Sequence, residues 1–317
     1  MPVVINVRKI GTFTKLADKT TIPDGLPPRL NERYDLYGPL EENMDLTLGF
    51  EDFKDEGRGD RFHSFFDYLK RTSKPGSVLK EVINADFVSN RRNLQVLART
   101  PYYREDFEIQ AIRQNGVIFL CDKNLDKEDR QLPYGYKFEQ NMTLDKDGNT
   151  RSKYEKVCNK EATKAVLRTT IASGNQQLKV LYAAEMDAID SKGTFVELKT
   201  TAMKHRKWLE KASLNEYLQS YLGGVQSIIY GRKISWTEPI VFRTDTVHTE
   251  NIPKMGVNWD KNTCFDALFN ILSKINSKLE YDEEALVVKI SEEGVFFEPE
   301  VSNNCTFIDP AFLDHFA

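Results

Sequence analysis

Apolar residues recur in two rhythms along this chain, one of alternate positions and one of three- and four-residue steps, and the two intermix from end to end. Leu214, Tyr217, Leu218, Tyr221, Leu222 and Val225 fall at i, i+3, i+4, i+7, i+8 and i+11, the stripe of an amphipathic helix, which Gly223-Gly224 closes. Phe265, Leu268, Phe269, Leu272, Ile275 and Leu279 predict a late helix. Phe65, Phe66, Tyr68 and Leu69 predict a short one, broken by Lys74-Pro75-Gly76, with another starting near Ser77. Residues 107–120 alternate as a pair of strands turned at Gln114-Asn115-Gly116. Residues 179–190 and 195–200 form a second expected hairpin about Ser191-Lys192-Gly193-Thr194, and further strands are expected at 228–230, 240–242, 285–290 and 295–298. Without a strict βαβ alternation, these elements predict a mixed α/β fold, with one or more central mixed sheets flanked by helices.

Residues 1 to about 60 read differently, as irregular wrapping with a few strands, because Pro23, Pro27, Pro28 and Pro39 separate short apolar pieces. A charged loop is expected at 124–130 and a polar one around Lys146-Asp147-Gly148. The chain of 317 residues is long enough for two domains, yet large α/β enzymes reach this size as one, and residues 1–317 are taken as a single catalytic domain.

Charge narrows the function classes. The net charge of −4 carries no general basic bias, so any phosphate-binding surface must be local. Cys121, Cys158, Cys264 and Cys305 are widely spaced and suggest reduced thiols rather than a zinc ribbon or a disulfide framework. The start of the chain lacks a secretory pattern, and no apolar run of about 20 residues occurs, so an intracellular protein, nuclear and/or cytoplasmic and without a membrane partner, is expected.

The candidate chemistry lies in the second hairpin. Side chains two apart on a strand share a face about 6.5 to 7 Å from one another, which pairs Glu185 with Asp187 and Glu197 with Lys199. With the strands side by side, three carboxylates and one ammonium would meet among apolar neighbours. Burying that many ions costs several kcal/mol each unless a cation compensates, and oxygen ligands suit Mg²⁺ or Mn²⁺. Two such ions about 3.5 to 4 Å apart can stabilise the attacking and leaving oxygens of a phosphoryl displacement. Lys199 would orient or deprotonate the water, or balance charge. A solvated strand face with cross-strand Glu–Lys pairs would give the same alternation.

Glu-x-Asp, a short turn and Glu-x-Lys resemble the PD-(D/E)xK nuclease pattern. With three further segments, residues 85 to 235 resemble the decapping exoribonuclease family, which includes the fungal partner proteins of the nuclear 5′ to 3′ exoribonuclease. These segments are Gly135-Tyr136-Lys137-Phe138-Glu139, Gln219-Ser220 on the predicted helix, and the stretch from Asp86 through Arg91-Arg92 to Thr100-Pro101-Tyr102. The resemblance implies a PD-(D/E)xK-like core and a hydrolase that removes incomplete or non-standard caps from RNA 5′ ends, capped, triphosphate or monophosphate. It implies that Glu139, Glu185, Asp187, Glu197 and the Leu198 carbonyl hold two divalent ions. Lys199 and Gln219 would then position water and scissile phosphate, and Arg91 would contact substrate phosphate. The chain departs from the family pattern at Asn90 and Arg92, which replace tryptophan and glycine, and at Asn215-Glu216-Tyr217, where lysine and tryptophan are common.

Other candidates carry less. His63, His205, His248 and His315 are scattered, and Lys204, His205, Arg206, Lys207 and Lys211 read either as a basic lip or as a solvated helix face. Two rival functions remain open to the sequence: a binding protein that stabilises a nuclear exoribonuclease with little chemistry of its own, and a DNA nuclease with the same core.

Overall fold

In the computed structural model, residues 2–34, 36–51, 53–55, 60–123 and 134–316 are described. The first half of the chain forms β1 (Val4–Lys15), β2 (Thr21–Pro23), β3 (Gly38–Asp45), α1 (His63–Thr72), α2 (Leu79–Ile83), β4 (Phe87–Asn90), α3 (Arg91–Arg99), β5 (Phe107–Gln114), β6 (Val117–Asp122) and α4 (Tyr134–Met142). Next come β7 (Ala162–Ser173), β8 (Gln176–Glu185), β9 (Ala188–Ile189), β10 (Phe195–Thr201), α5 (His205–Lys211) and α6 (Ser213–Gly223). The remainder supplies β11 (Ser227–Lys233), β12 (Ile240–His248), α7 (Lys261–Lys278), β13 (Ala285–Ser291), β14 (Gly294–Glu300) and α8 (Pro310–Leu313).

Two mixed sheets result. The larger runs β14-β13-β5-β6-β4-β8-β7-β1-β2, and the smaller runs β3-β12-β11-β10-β9. The central strands of the larger are buried on both faces, which is why β6 reads as a continuous apolar run rather than an alternation. Ile118 and Leu120 face one core with Phe87, Val180, Tyr182 and residues of α3, α6 and α7. Val117, Phe119 and Cys121 face the other, against α1, α2 and α8, where Phe66 and Phe312 stack at 4.0 Å between ring centroids. A third core sets Phe138 and Met142 of α4 against Val196, Leu198, Ile229 and Val241 of the smaller sheet.

Most predicted elements appear. The turn between β5 and β6 has Asn115 and Gly116 both at positive φ, 48° and 76°, the conformation a two-residue hairpin requires. Gly224, at φ 65°, ends α6 as predicted. The loop expected at 124–130 lies outside the described residues.

The N-terminal segment is more regular than its prolines suggested. Residues 4–15 form a twelve-residue strand that pairs with β7 over its whole length, apart from a bulge between Lys9 and Gly11. Pro23, Pro27, Pro28 and Pro39 all follow it. Val3 and Ile5 are buried and alternate with exposed Val4 and Asn6, a pattern too short to stand out beside that composition.

The second predicted hairpin is also redrawn. Residues 179–190 are not one strand paired with 195–200. β8 pairs with β7 and β4 in the larger sheet, the chain leaves that sheet after Met186, and the two residues of β9 alone pair with β10. Glu185 and Asp187 therefore do not share a strand face; they flank the point where the chain passes between sheets. The physical reason is burial on both sides, since a strand sandwiched between two helix layers cannot also serve a second sheet edge.

Asn90 explains how α3 starts. Its side chain accepts a hydrogen bond from the Asn93 N–H at 2.9 Å, capping the helix. We expect Asn90→Ala to destabilise the protein by about 1 kcal/mol, measured as a shift of the urea midpoint with an unchanged slope.

Candidate active site

Five elements meet at the seam between the sheets: α3, α4, the β8–β9 crossing, β10 and α6. Each arrives for a local reason. α6 is fastened to the larger sheet by the Tyr182 hydroxyl, which donates to the Leu222 carbonyl at 2.7 Å, and by the Tyr221 hydroxyl, which donates to Ile5 O at 2.9 Å. α4 is held from two sides. Lys137, fully buried, donates to the Glu155 carbonyl at 2.8 Å, and the Phe138 ring lies over Gly231 of β11. A Cβ at Gly231 would stand 2.5 Å from that ring, so the missing side chain lets α4 approach the sheet and carry Glu139 to the seam.

Glu197 is the most enclosed of the carboxylates, at 2% exposure. Its Oε1 accepts from Lys199 Nζ at 3.0 Å and from Gln219 Nε2, and its Oε2 lies 3.5 Å from the Arg91 guanidinium. Burial would raise the Glu197 carboxyl, but the charges of Lys199 and Arg91 outweigh it and hold the group below its ordinary value. The Lys199 ammonium, although burial disfavours it, is held above its usual value by Glu197 and then Asp187. Asp187 Oδ2 accepts from the Leu198 N–H at 2.8 Å. Burial, followed by the charge of Glu197, pushes the Asp187 carboxyl up to about 8. Glu139 is raised well above its ordinary value, by burial and then by Asp187, Glu185 and Glu197.

The structure thus brings Glu139, Asp187, Glu197, Lys199, Gln219 and Arg91 together, with Glu185 beside them as an exposed residue at the end of β8. Leu198 contributes through its backbone N–H. Among the described residues, no three of Asp, Glu, His or Cys converge closely enough to hold an ion as they stand. The donor set nevertheless fits a divalent cation. Its oxygens are hard ligands, Asp187 and Glu139 are raised by burial and then by neighbouring carboxylates, both of which a cation would offset, and Glu197 Oε2 is buried without a hydrogen-bond partner among the described residues. Loading would need rotation of side chains, which exposed Glu185 and half-buried Glu139 permit.

The departures noted in the sequence have structural partners. Arg92 lies over the Phe107 ring at 5.6 Å, and Asn215 joins α6 to α3 by accepting from Gln95 and Arg99, both at 2.9 Å. Sequence reasoning missed Tyr230 and Trp208, which reach Glu216 close to Lys199. The available signal was a carboxylate between the stripe residues Leu214 and Tyr217, with Trp208 two turns upstream.

A mixed sheet that delivers several carboxylates, a lysine and a glutamine to one seam is the arrangement of a PD-(D/E)xK nuclease. The chain belongs to the RAI1-like PD-(D/E)XK nuclease family, whose model matches residues 7–304. It is 28% identical over 314 residues to decapping nuclease dom-3 of Caenorhabditis elegans, covering 91% of this chain and 79% of that protein. It is 29% identical over 234 residues to the mouse decapping and exoribonuclease protein, covering 65% of this chain and 57% of that one. Candida albicans Rai1, solved in complex with pU5 and Mn²⁺, shares the fold with a TM-score of 0.75 at 16% identity, over 99% of this chain and 95% of that one.

Gly231→Ala tests the close approach of α4. We expect overpacking against Phe138 to cost about 1–3 kcal/mol, read as a lowered denaturation midpoint, and Phe138→Leu in the same chain to restore part of the loss.

Proposed function

We propose that the chain is a divalent-metal-dependent hydrolase of RNA 5′ ends that removes incomplete or non-standard caps and degrades RNA in the 5′ to 3′ direction. The observation that carries this reading is the joining of Glu197 to Lys199 and Gln219 beside Asp187 and Glu139, in a chain of this nuclease family. The names of the worm and mouse relatives, a decapping nuclease and a decapping exoribonuclease, supply the substrate class. Residues 1–317 act in this reading as one catalytic unit, because the site draws on residues from Arg91 to Gln219.

Glu139, Glu185, Asp187, Glu197 and the Leu198 carbonyl are the proposed holders of Mg²⁺ or Mn²⁺, two ions in all. When bound, such ions supply a Lewis acid for the phosphoryl oxygens and lower the pKa of water. The remaining work belongs to the chain. Lys199, which donates to Glu197 at 3.0 Å, is placed to orient or deprotonate the water or to balance charge growing on the phosphate. The Gln219 amide, which donates to the same Glu197 oxygen as Lys199, orients the attacking water or the scissile phosphate. Arg91, 14% exposed, offers its guanidinium to a substrate phosphate once Glu197 turns to other partners. An intact lysine and glutamine support chemistry over a purely binding role. Association with a nuclear 5′ to 3′ exoribonuclease belongs to this reading through the family resemblance, and co-purification tests it; residence in the nucleus, the cytoplasm or both is tested by imaging the tagged chain.

Two measurements test the hydrolase. With Mn²⁺ and RNAs carrying an unmethylated cap, a methylated cap, a triphosphate or a monophosphate, the unaltered protein should release a capped product and shorten the monophosphate RNA. The Glu185→Ala, Asp187→Ala variant should lose at least about 100-fold in rate; equal rates would sink the assignment. In the absence of substrate, excess Mn²⁺ should raise the melting temperature of the unaltered protein. The double variant should start higher, since repulsion is relieved, and gain nothing from the ion.

A further inference from the structure

The geometry points to Glu216 as a positioning residue: one carboxylate oxygen locks the helix bearing Gln219 onto the strand pair bearing Glu197 and Lys199. This rests on the hydrolase reading above. Glu216 Oε2 accepts two hydrogen bonds, from the Trp208 indole N–H and from the Tyr230 hydroxyl, each at 2.5 Å. The donors come from different elements, Trp208 from α5 and Tyr230 from β11. In the parallel pairing of β10 with β11, Tyr230 stands directly beside Lys199. On α6, Glu216 lies three residues before Gln219 and so on the same side of the helix. One oxygen thereby ties α6 and α5 to the strand next to Lys199, while Gln219 closes the loop by donating to Glu197.

The surroundings agree with this role. The Trp208 ring meets the Tyr230 ring edge-on at 5.7 Å and is itself 2% exposed, so the donors are fixed by packing. Burial pushes the Glu216 carboxyl above its ordinary value, opposed by the hydrogen bonds from Tyr230 and Trp208 and by the charge of Lys199. Glu216 in turn helps hold the proton on Lys199. A desolvated carboxylate is costly, and two charge-assisted bonds on a single oxygen offset that cost. Because both bonds use one oxygen, a glutamine can supply it as an amide carbonyl, whereas alanine cannot.

The experiment compares the unaltered protein with Glu216→Gln, Glu216→Ala and Trp208→Phe. Each is assayed for Mn²⁺-dependent hydrolysis of 5′-monophosphate RNA and for the side-chain amide resonance of Gln219 in ¹⁵N-glutamine-labelled protein. Small displacements of reacting groups can cost on the order of 100-fold, so Glu216→Ala should lower kcat by about 10- to 100-fold with KM within about 3-fold. It should also move the Gln219 resonance. Glu216→Gln should stay within about 3-fold of the unaltered kcat and leave that resonance in place. Trp208→Phe, which keeps a ring and loses one donor, should fall between them and serves if Glu216→Ala does not fold. An unmoved Gln219 signal in Glu216→Ala, or no rescue by glutamine, overturns the brace. If the unaltered protein hydrolyses no RNA yet Glu216→Ala moves the Gln219 signal, the brace stands and the hydrolase reading falls.

Discussion

A carboxylate as enclosed as Glu197 cannot remain charged without partners, and the way it finds them determines how the two sheets join. Removing an ion from water costs several kcal/mol even after relaxation. Here that cost is offset by Lys199 from the same strand, Gln219 from α6 and Arg91 from the start of α3. Three elements are thereby drawn to one point, and the cores on either side must accommodate that meeting. Gly223 shows how tight the fit is: a Cβ there would stand 3.0 Å from the Arg91 guanidinium. α6 ends beside Arg91 in a glycine, whose missing Cβ spares the guanidinium a small shift.

The same cluster exposes the opposing force. Glu139, Asp187, Glu185 and Glu216 surround Glu197, so five carboxylates face the two cations Lys199 and Arg91. Burial first and then repulsion between carboxylates raise the carboxyls of Glu139 and Asp187, while the charges of Lys199 and Arg91 hold Glu197 below its ordinary value. An anionic substrate would be repelled by such a site unless divalent charge were added. Structure and substrate class agree on this point: what leaves the carboxylates unsatisfied is what a phosphate-cleaving site needs from its ions.

Much of this arrangement was readable in the sequence because it depends on local periodicity. The α6 stripe, the hairpin at Asn115-Gly116 and the Glu197-x-Lys199 face are short-range features, and each appears as expected. The failures were failures of range. Nothing local distinguishes a strand that ends at Glu185 from one that continues to Asp190; the distinction comes from helices packed on both faces of the larger sheet. β1 was hidden for a similar reason, since its partner, β7, lies about 150 residues along the chain.

The residues that depart from the family pattern show why a site can be recognised without being fully read. Asn90, Arg92 and Asn215 look like losses when set against the family pattern, yet each side chain has a partner: the Asn93 N–H, the Phe107 ring and the Arg99 guanidinium. Glu216 goes further and brings a negative charge to the neighbourhood of Lys199. A motif records which residues recur and at what spacing. It does not record how they are held. In this chain polar groups, many of them buried, do much of that holding, and because a polar group removed from water must be satisfied, each such substitution constrains its neighbours in turn. The surroundings of Lys199 and Gln219 are therefore set by Trp208, Tyr230 and Glu216 as a unit.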